Sequence, residues 1–273
     1  MVWIEQEKFY AKGYNPGMRR ILSEIGKRFS HFIEETGKLS IILIQAVRGI
    51  FQPPLRLQEN LRQMEEVGAN SLPVTIITGA FTGMVLALQS FVAFKRFNAE
   101  SLVGTVVALS ITRELGPVLT GLVVAARAGS SMAAELGTMR VTEQIDALST
   151  LAVNPIEYLI SPRLLAGFIM LPLLTILADM VGIIGGWFVS VCILGANSVV
   201  YIRRTFDLLE YQDIYSGLVK AAVFGFIISG VGCYEGFYAE GGAEGVGKAT
   251  TGAVVMAYIL IIISNYILTA LFL

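Results

Sequence analysis

Apolar residues gather into five long runs separated by short polar stretches: Leu72 to Phe94, Leu102 to Ala126, Leu164 to Gly195, Ile214 to Tyr234 and Ala249 to Leu273. Each meets or exceeds the about 20 residues that a helix needs to cross a bilayer's hydrocarbon, so the pattern predicts five membrane spans. The first and last runs contain no charged side chain. The third carries Pro172, Asp179, Gly182, Gly185 and Gly186, which leaves three shapes open: strongly tilted, kinked at the proline, or broken near the glycines. A further apolar stretch, Leu39 to Phe51, is too short to cross and is preceded by Glu34, Glu35 and Lys38.

Two weaker patterns flank these runs. Ahead of the first, Met18, Ile21, Leu22, Ile25, Phe29, Phe32 and Ile33 recur at helical spacing, with Arg19, Arg20, Lys27 and Arg28 between them. This predicts a helix lying in the membrane surface, with a soluble amphipathic helix packed on a partner as the alternative. Pro53-Pro54 closes that region. After the second run, Val141, Ile145, Leu148 and Ala152 fall at i, i+4, i+7 and i+11 among Arg140, Glu143, Gln144 and Asp146, and Asn154-Pro155 ends the pattern. It predicts a short amphipathic helix over Met139 to Leu151. Such a helix either seats in a groove of a soluble motor or rests on lipid headgroups, and periodicity does not choose between them.

Composition agrees with a membrane chain: 55% of residues are hydrophobic and 15% charged, and the mean hydropathy is +0.68. A net charge of -1 excludes the basic balance of a nucleic-acid binder. The N-terminal stretch lacks the uninterrupted apolar core of a signal peptide. With five spans and the N-terminus inside, fourteen Lys and Arg fall on the cytoplasmic side against four outside, which puts the C-terminus on the outer face. The expected fold is therefore an all-α integral membrane protein, with an N-terminal interfacial helix, a cytoplasmic N-terminus and a periplasmic C-terminus. Cys192 and Cys233 lack metal-site or disulfide spacing and read as packing residues, and His31 is the only histidine, so no metal site is expected.

The candidate chemistry lies where charge interrupts grease. Arg113 and Glu114 stand side by side at the middle of the second run, a choice made in no other run. A charge at the bilayer centre costs about 2.5 to 3.5 kcal/mol on insertion scales, so both should face a protein interior or a watery cavity. Neighbours on a helix do not face each other, so each needs a separate partner. The expectation is that one belongs to a cavity and the other to helix packing, including across a dimer. Gly116-Pro117 directly after them frees backbone groups that water or lipid headgroups in a vestibule could satisfy. Asp179 is a second candidate for an interhelical polar contact, and Lys220 is placed to reach the outer headgroups along its stem. Small residues four apart, among them Gly79, Gly83 and Ala87, Gly182 and Gly186, and Ala221, Gly225 and Ser229, favour close helix packing or dimerisation.

Gly242 to Ala249 nearly matches a phosphate-binding loop, but Ala249 replaces the hydroxyl that holds magnesium and no strand precedes it, so any ATPase is a separate chain. A secondary transporter using Glu114 or Asp179 as an ion site is the rival reading, against which stand the odd number of spans and the lack of an internal repeat. An intramembrane enzyme lacks a visible nucleophile and base.

The ordered motifs Thr112-Arg113-Glu114-Leu115-Gly116-Pro117, Ala126-Arg127-Ala128-Gly129-Ser130, Ala134 to Arg140, Thr142 to Leu148 and Ile160-Ser161-Pro162-Arg163 resemble the MlaE family of ABC transporter permeases. Gly83 to Gln89 and Lys248-Ala249-Thr250-Thr251 extend the likeness over roughly residues 30 to 273. The resemblance implies a homodimeric permease in the bacterial inner membrane, moving phospholipid between the membranes of a Gram-negative envelope and so bearing on outer-membrane lipid asymmetry. It implies a partner ATP-binding cassette ATPase carrying ATP and Mg, a ring of MCE-domain proteins and a STAS-domain regulator, with no cofactor in this chain. By the same likeness a lipid pocket lies between protomers, walled by Leu86, Gln89, Ala93, Phe94, Phe97 and Leu115 with Arg113 and Glu114 near the midplane. Phe97 stands where similar proteins can carry tyrosine. Met139, Arg140, Glu143, Gln144, Ile145, Asp146 and Leu148 become the helix coupled to the ATPase. The implied layout is an extension over 1–20, an interfacial helical region over 21–71 and the transmembrane domain over 72–273.

Overall fold

The computed structural model describes residues 16–52 and 56–272, and these form helices and their connections with no strand among them. Residues 1–15 of the expected extension lie outside the described residues, as do Pro53-Pro54 and the side chains of Met18, Ile21, Leu22, Ile25, Phe29, His31 and Phe32. The chain divides into two units, residues 1–44 and 45–273. Helix α1 (Pro16–Ile50) runs through the first and ends in the second. In the first unit, Lys38 Nζ bonds Glu34 at 2.9 Å and Glu35 at 3.4 Å, one helical turn away.

The second unit contains five helical stretches long and apolar enough to cross a membrane. The first joins α2 (Leu57–Val67), a tight turn at Ala69–Ser71 and α3 (Leu72–Lys95). It therefore begins 15 residues before the apolar run, because Gly68 keeps right-handed helical angles, φ -86 and ψ -76, and does not interrupt the climb. The second span is α4 (Val103–Ser110), α5 (Gly116–Val124) and α6 (Ser130–Val141), joined by wide π-helical turns at Ile111–Leu115 and Ala125–Gly129. A short α7 (Gln144–Thr150) follows. The single helix expected over Met139 to Leu151 is divided, since Glu143 takes a left-handed φ of 58° and turns the chain between α6 and α7.

Of the three shapes left open for the third span, the structure excludes a break at the glycines. The span enters by a π-turn at Ile156–Ile160, continues without a break as α8 (Ser161–Phe188) with Pro172 inside it, and ends in a π-turn at Val189–Ile193. Gly182, Gly185 and Gly186 stay helical and buried. Next, α9 (Ser198–Asp207), a short helix that the hydrophobic pattern did not reveal, is capped by Asn197, whose side chain accepts from the Val199 and Val200 amides at 2.9 and 3.2 Å. The fourth span is α10 (Tyr211–Phe237) and the fifth α11 (Gly242–Phe272). The decoy phosphate loop is thus the opening turns of α11, with positive φ only at Gly241 and Gly242.

The third span is central, with α8 packing on α3 and on α10, while α10 also packs on α11 and α6. The α3–α8 crossing is possible because it is glycine on glycine: a Cβ on Gly83 would collide with the Gly182 carbonyl oxygen. In lipid, where packing rather than water exclusion draws helices together, such an approach supplies much of the association. Span 4 is the most enclosed, and spans 5 and 1 leave the most apolar surface uncovered. Cys233 is buried as a packing residue, whereas Cys192 is exposed, in the π-turn that ends the third span.

Candidate functional site

The π-turn at Ile111–Leu115 carries Arg113 and Glu114 and gives each its own partner. Arg113 Nε donates to Asp213 Oδ1 in a close ion pair, the Arg113 side chain half-exposed and the Asp213 side chain 2% exposed. Glu114 turns between spans 4 and 5: Oε1 accepts from Lys220 Nζ at 2.7 Å and from Thr269 Oγ1 at 3.0 Å, and Oε2 accepts from Asn265 Nδ2 at 3.0 Å. Lys220 donates also to Thr269 Oγ1 at 2.8 Å and to the Arg113 carbonyl oxygen at 2.9 Å, so all its ammonium protons are engaged. Pro117 has no N–H to return to Arg113, the residue four before it, and Lys220 satisfies that carbonyl from another span. No vestibule water is required there.

The cluster pairs two cations with two anions, which meets the demand that charges taken out of water be paired and hydrogen-bonded. It is assembled within one chain. Lys220 does not reach the outer headgroups as its position suggested: it is 2% exposed and faces the interior, because α10 crosses the second span so closely that a Cβ on Gly217 would strike the Thr112 carbonyl oxygen. Asp213 serves twice, since its Oδ2 also accepts from the Glu210 amide at 2.9 Å in a capping box that opens α10. Around these groups lies a cavity of about 310 Å³, lined by Leu109, Ser110, Arg113, Glu114, Gln212, Asp213, Ser216, Lys220, Thr269 and Phe272.

Of the other residues expected at a lipid wall, none lines this cavity. Leu86 and Phe94 are partly buried against a cluster of Ala87, Phe91, Val103, Val107, Ile111 and Tyr201. Gln89, Ala93 and Phe97 are exposed along α3 and the turn after it, Phe97 at 79%. Leu115 faces a narrow crevice with Thr75, Thr78, Thr82 and Thr120, between spans 1, 2 and 3. Asp179, expected to make an interhelical polar contact, leaves Oδ1 without a hydrogen-bond partner.

Asp213, Asn265 and Thr269 are the site residues that sequence reasoning missed, and Lys220 was assigned the wrong direction. A signal was present: Asp213 and Lys220 are seven apart, and Asn265 and Thr269 four apart, so each pair shares one helical face in a greasy span.

At the other end of the bundle, Met139 and Arg140 close α6, and Arg140 Nη1 bonds Asp146 Oδ1 at 2.6 Å across the turn. Ile145 is buried and anchors α7; Leu148 is partly buried; Glu143, Gln144 and Asp146 are exposed. Met139 and Gln144 also border an open groove of about 720 Å³ with Arg62, Gln63, Glu66 and Thr138.

Comparison with known proteins places these features in a family. The model of the MlaE permease family matches residues 60–271. A probable ABC transporter permease protein of Rickettsia conorii is 53% identical over 252 residues, covering 92% of this chain and 97% of its own length. A probable ABC transporter permease protein of Synechocystis is 43% identical over 220 residues, or 81% of this chain and 84% of the relative. The intermembrane phospholipid transport system permease protein MlaE of Haemophilus influenzae is 37% identical over 253 residues, covering 92% of this chain and 96% of the relative.

Proposed function

Since the chain belongs to the MlaE permease family, a family of multi-pass ABC transporter permeases distinct from the ATPase that drives them, we propose that it is the transmembrane subunit of a phospholipid transporter of the bacterial inner membrane. It works as a homodimer with a separate ATP-binding cassette ATPase, an MCE-domain ring on the outer face and a STAS-domain regulator. The Haemophilus relative, named for intermembrane phospholipid transport, supports that cargo. The lipid path runs along the exposed face of Gln89, Ala93 and Phe97, with Leu86, Phe94 and Leu115 behind it, and Arg113 and Glu114 act from the cavity between spans 2, 4 and 5.

One observation carries the reading. A permease-family match across residues 60–271 coincides with a charge-neutral cluster in which Asp213 and Lys220 are buried and the Arg113 side chain is half-exposed and lines a cavity. A guanidinium so placed recognises a phosphate by paired hydrogen bonds. Movement comes from the ATPase seated on α7 and the turn before it, where the exposed Glu143, Gln144 and Asp146 surround the buried anchor Ile145.

The test is gentle purification from native membranes followed by reconstitution. An ATP-binding cassette subunit should copurify, its hydrolysis should rise with phospholipid, and labelled phospholipid should transfer only with ATP. Uptake by the isolated chain driven by an ion gradient alone would overturn the reading.

A further inference from the structure

Helix α9 is seated on two glycines and leaves two of its faces without protein. Tyr201 and Thr205 form its buried side: a Cβ on Gly104 of span 2 would come within 2.8 Å of the Tyr201 carbonyl oxygen and 2.9 Å of Thr205 Oγ1, and one on Gly186 of span 3 within 2.8 Å of the Tyr201 hydroxyl. Thr105 Oγ1 donates to the Arg204 carbonyl at 2.9 Å, and Trp187 Nε1 donates to Ser198 Oγ at 3.1 Å, so both ends are held. Away from that seat, Val199, Ile202 and Phe206 stand at i, i+3 and i+7, 73%, 47% and 72% exposed, and form an apolar stripe. The Arg203 side chain, 80% exposed, pairs with Asp207 at 3.6 Å on the neighbouring face, with the exposed Arg204 beside it.

The depth of α9 follows from span 4. Toward one end of that span a Cβ on Gly232 would strike the Gly129 carbonyl oxygen, which lies close in the chain to Arg127 and its bonds to Glu66 and Ser71. Between Tyr211, the first residue of α10 and 94% exposed, and Gly232 the helix rises about 31 Å, close to the thickness of a bilayer's hydrocarbon. A bilayer with one boundary at the Arg127 cluster therefore has the other at Tyr211, and α9 ends just before it in the chain. The apolar stripe also runs into the lipid-facing side of span 3, since Phe206 shares a cavity wall with Met180 and Ile184, both more than half exposed. A protein-docking patch has an apolar centre ringed by polar groups. Here charge borders the stripe on one side only, which is the division of faces found in helices that lie in a membrane surface.

We infer that α9 is an anchor in the phospholipid leaflet away from α7: Val199, Ile202 and Phe206 enter the acyl region, and the Arg203 and Arg204 guanidiniums meet the phosphates of the headgroup layer. The surface takes bulk phospholipid rather than a transported molecule, so it is separate from the proposed cargo path. Through Glu210 and Asp213, which follow it, α9 is continuous with the capping box that holds the partner of Arg113.

The test places a nitroxide on single cysteines in a chain with Cys192 and Cys233 replaced by serine, in nanodiscs of phosphatidylethanolamine and phosphatidylglycerol, first alone and then assembled with its partner subunits. All the labelled positions are exposed, so the glycine seat stays intact. Three relaxing agents separate the layers in paramagnetic resonance: oxygen in the acyl region, a nickel chelate tethered to a lipid headgroup, and a soluble nickel chelate in water. Labels on Val199→Cys, Ile202→Cys and Phe206→Cys should collide chiefly with oxygen, and those on Arg203→Cys and Asp207→Cys with tethered nickel more than with soluble nickel. Bimane on Phe206→Cys should be quenched by phospholipid brominated on its acyl chains and not by iodide in the buffer.

Soluble nickel prevailing at all these positions would put α9 in water and overturn the inference. So would equal collision with oxygen at every position, which removes the division of faces, or loss of access to oxygen on assembly, which makes the stripe a seat for protein. None of these readouts uses lipid transfer or ATP hydrolysis, so their failure leaves the transport reading standing.

Discussion

Lys220 is the residue on which the ionic cluster turns. Its ammonium is buried and held at once by Glu114, Thr269 and a backbone carbonyl freed by Pro117. Removing one partner of a buried pair leaves an uncompensated charge, which costs about 3 to 5 kcal/mol. Glu114→Ala should therefore lower the thermal unfolding temperature in detergent sharply, and Glu114→Ala combined with Lys220→Met should recover most of the loss. Equal losses in the single and double variants would show that the pair is not the source. Arg113 is half-exposed, but its partner Asp213 is 2% exposed. Arg113→Gln strands that buried carboxylate and should also lower the unfolding temperature, whereas Arg113→Lys, which keeps the charge but not the planar fork, should unfold near the parent's temperature while phospholipid-stimulated ATP hydrolysis by the assembled complex falls.

Among the elements, α7 and the α3–α8 crossing make contrasting predictions. The Arg140–Asp146 contact is on the surface and contributes about 0 to 1 kcal/mol, so reversing one charge should barely change folding. Asp146→Arg should unfold at the parent's temperature yet retain less ATPase on copurification; undiminished ATPase recovery would remove α7 from the interface. The crossing is the opposite case. Gly83 meets backbone, which cannot swing aside as a side chain can. Gly83→Leu should cost at least the about 1 to 3 kcal/mol of an overpacked core, read as a lowered unfolding temperature or loss of the monodisperse species.

For the whole molecule, the uneven coverage of the spans decides which faces meet something else. Spans 1 and 5 leave apolar side chains in view, among them Val85, Leu88 and Val92 on one and Ile259, Ile262 and Ile263 on the other. Lipid satisfies such faces as readily as protein does, so exposure by itself does not establish a homodimer. Disulfide trapping decides. In a chain with Cys192 and Cys233 replaced by serine, Ala93→Cys should give a covalent dimer in native membranes if the path along α3 lies between protomers. Monomer alone under oxidation, with dimer formed from cysteines on the α11 face instead, would move the interface to span 5.

The number of spans, the short amphipathic segment after the second and the singular position of Arg113 and Glu114 were legible from sequence because each rests on local periodicity or on the cost of placing charge in hydrocarbon. The motif order in addition carried the family resemblance. The continuity of the third span was not legible, since Pro172 and the glycines are compatible with a strongly tilted, a kinked or a broken helix, and the helix that packs against α3 and α10 is unbroken. Nor could the sequence by itself assign Asp213 to Arg113, or Lys220, Asn265 and Thr269 to Glu114, across separations of 100 to 155 residues. Those partnerships depend on how closely two helices cross and how far a π-turn rotates the side chains it carries. Local chemistry determined which charges needed partners, and the tertiary arrangement of the spans decided which partners they found.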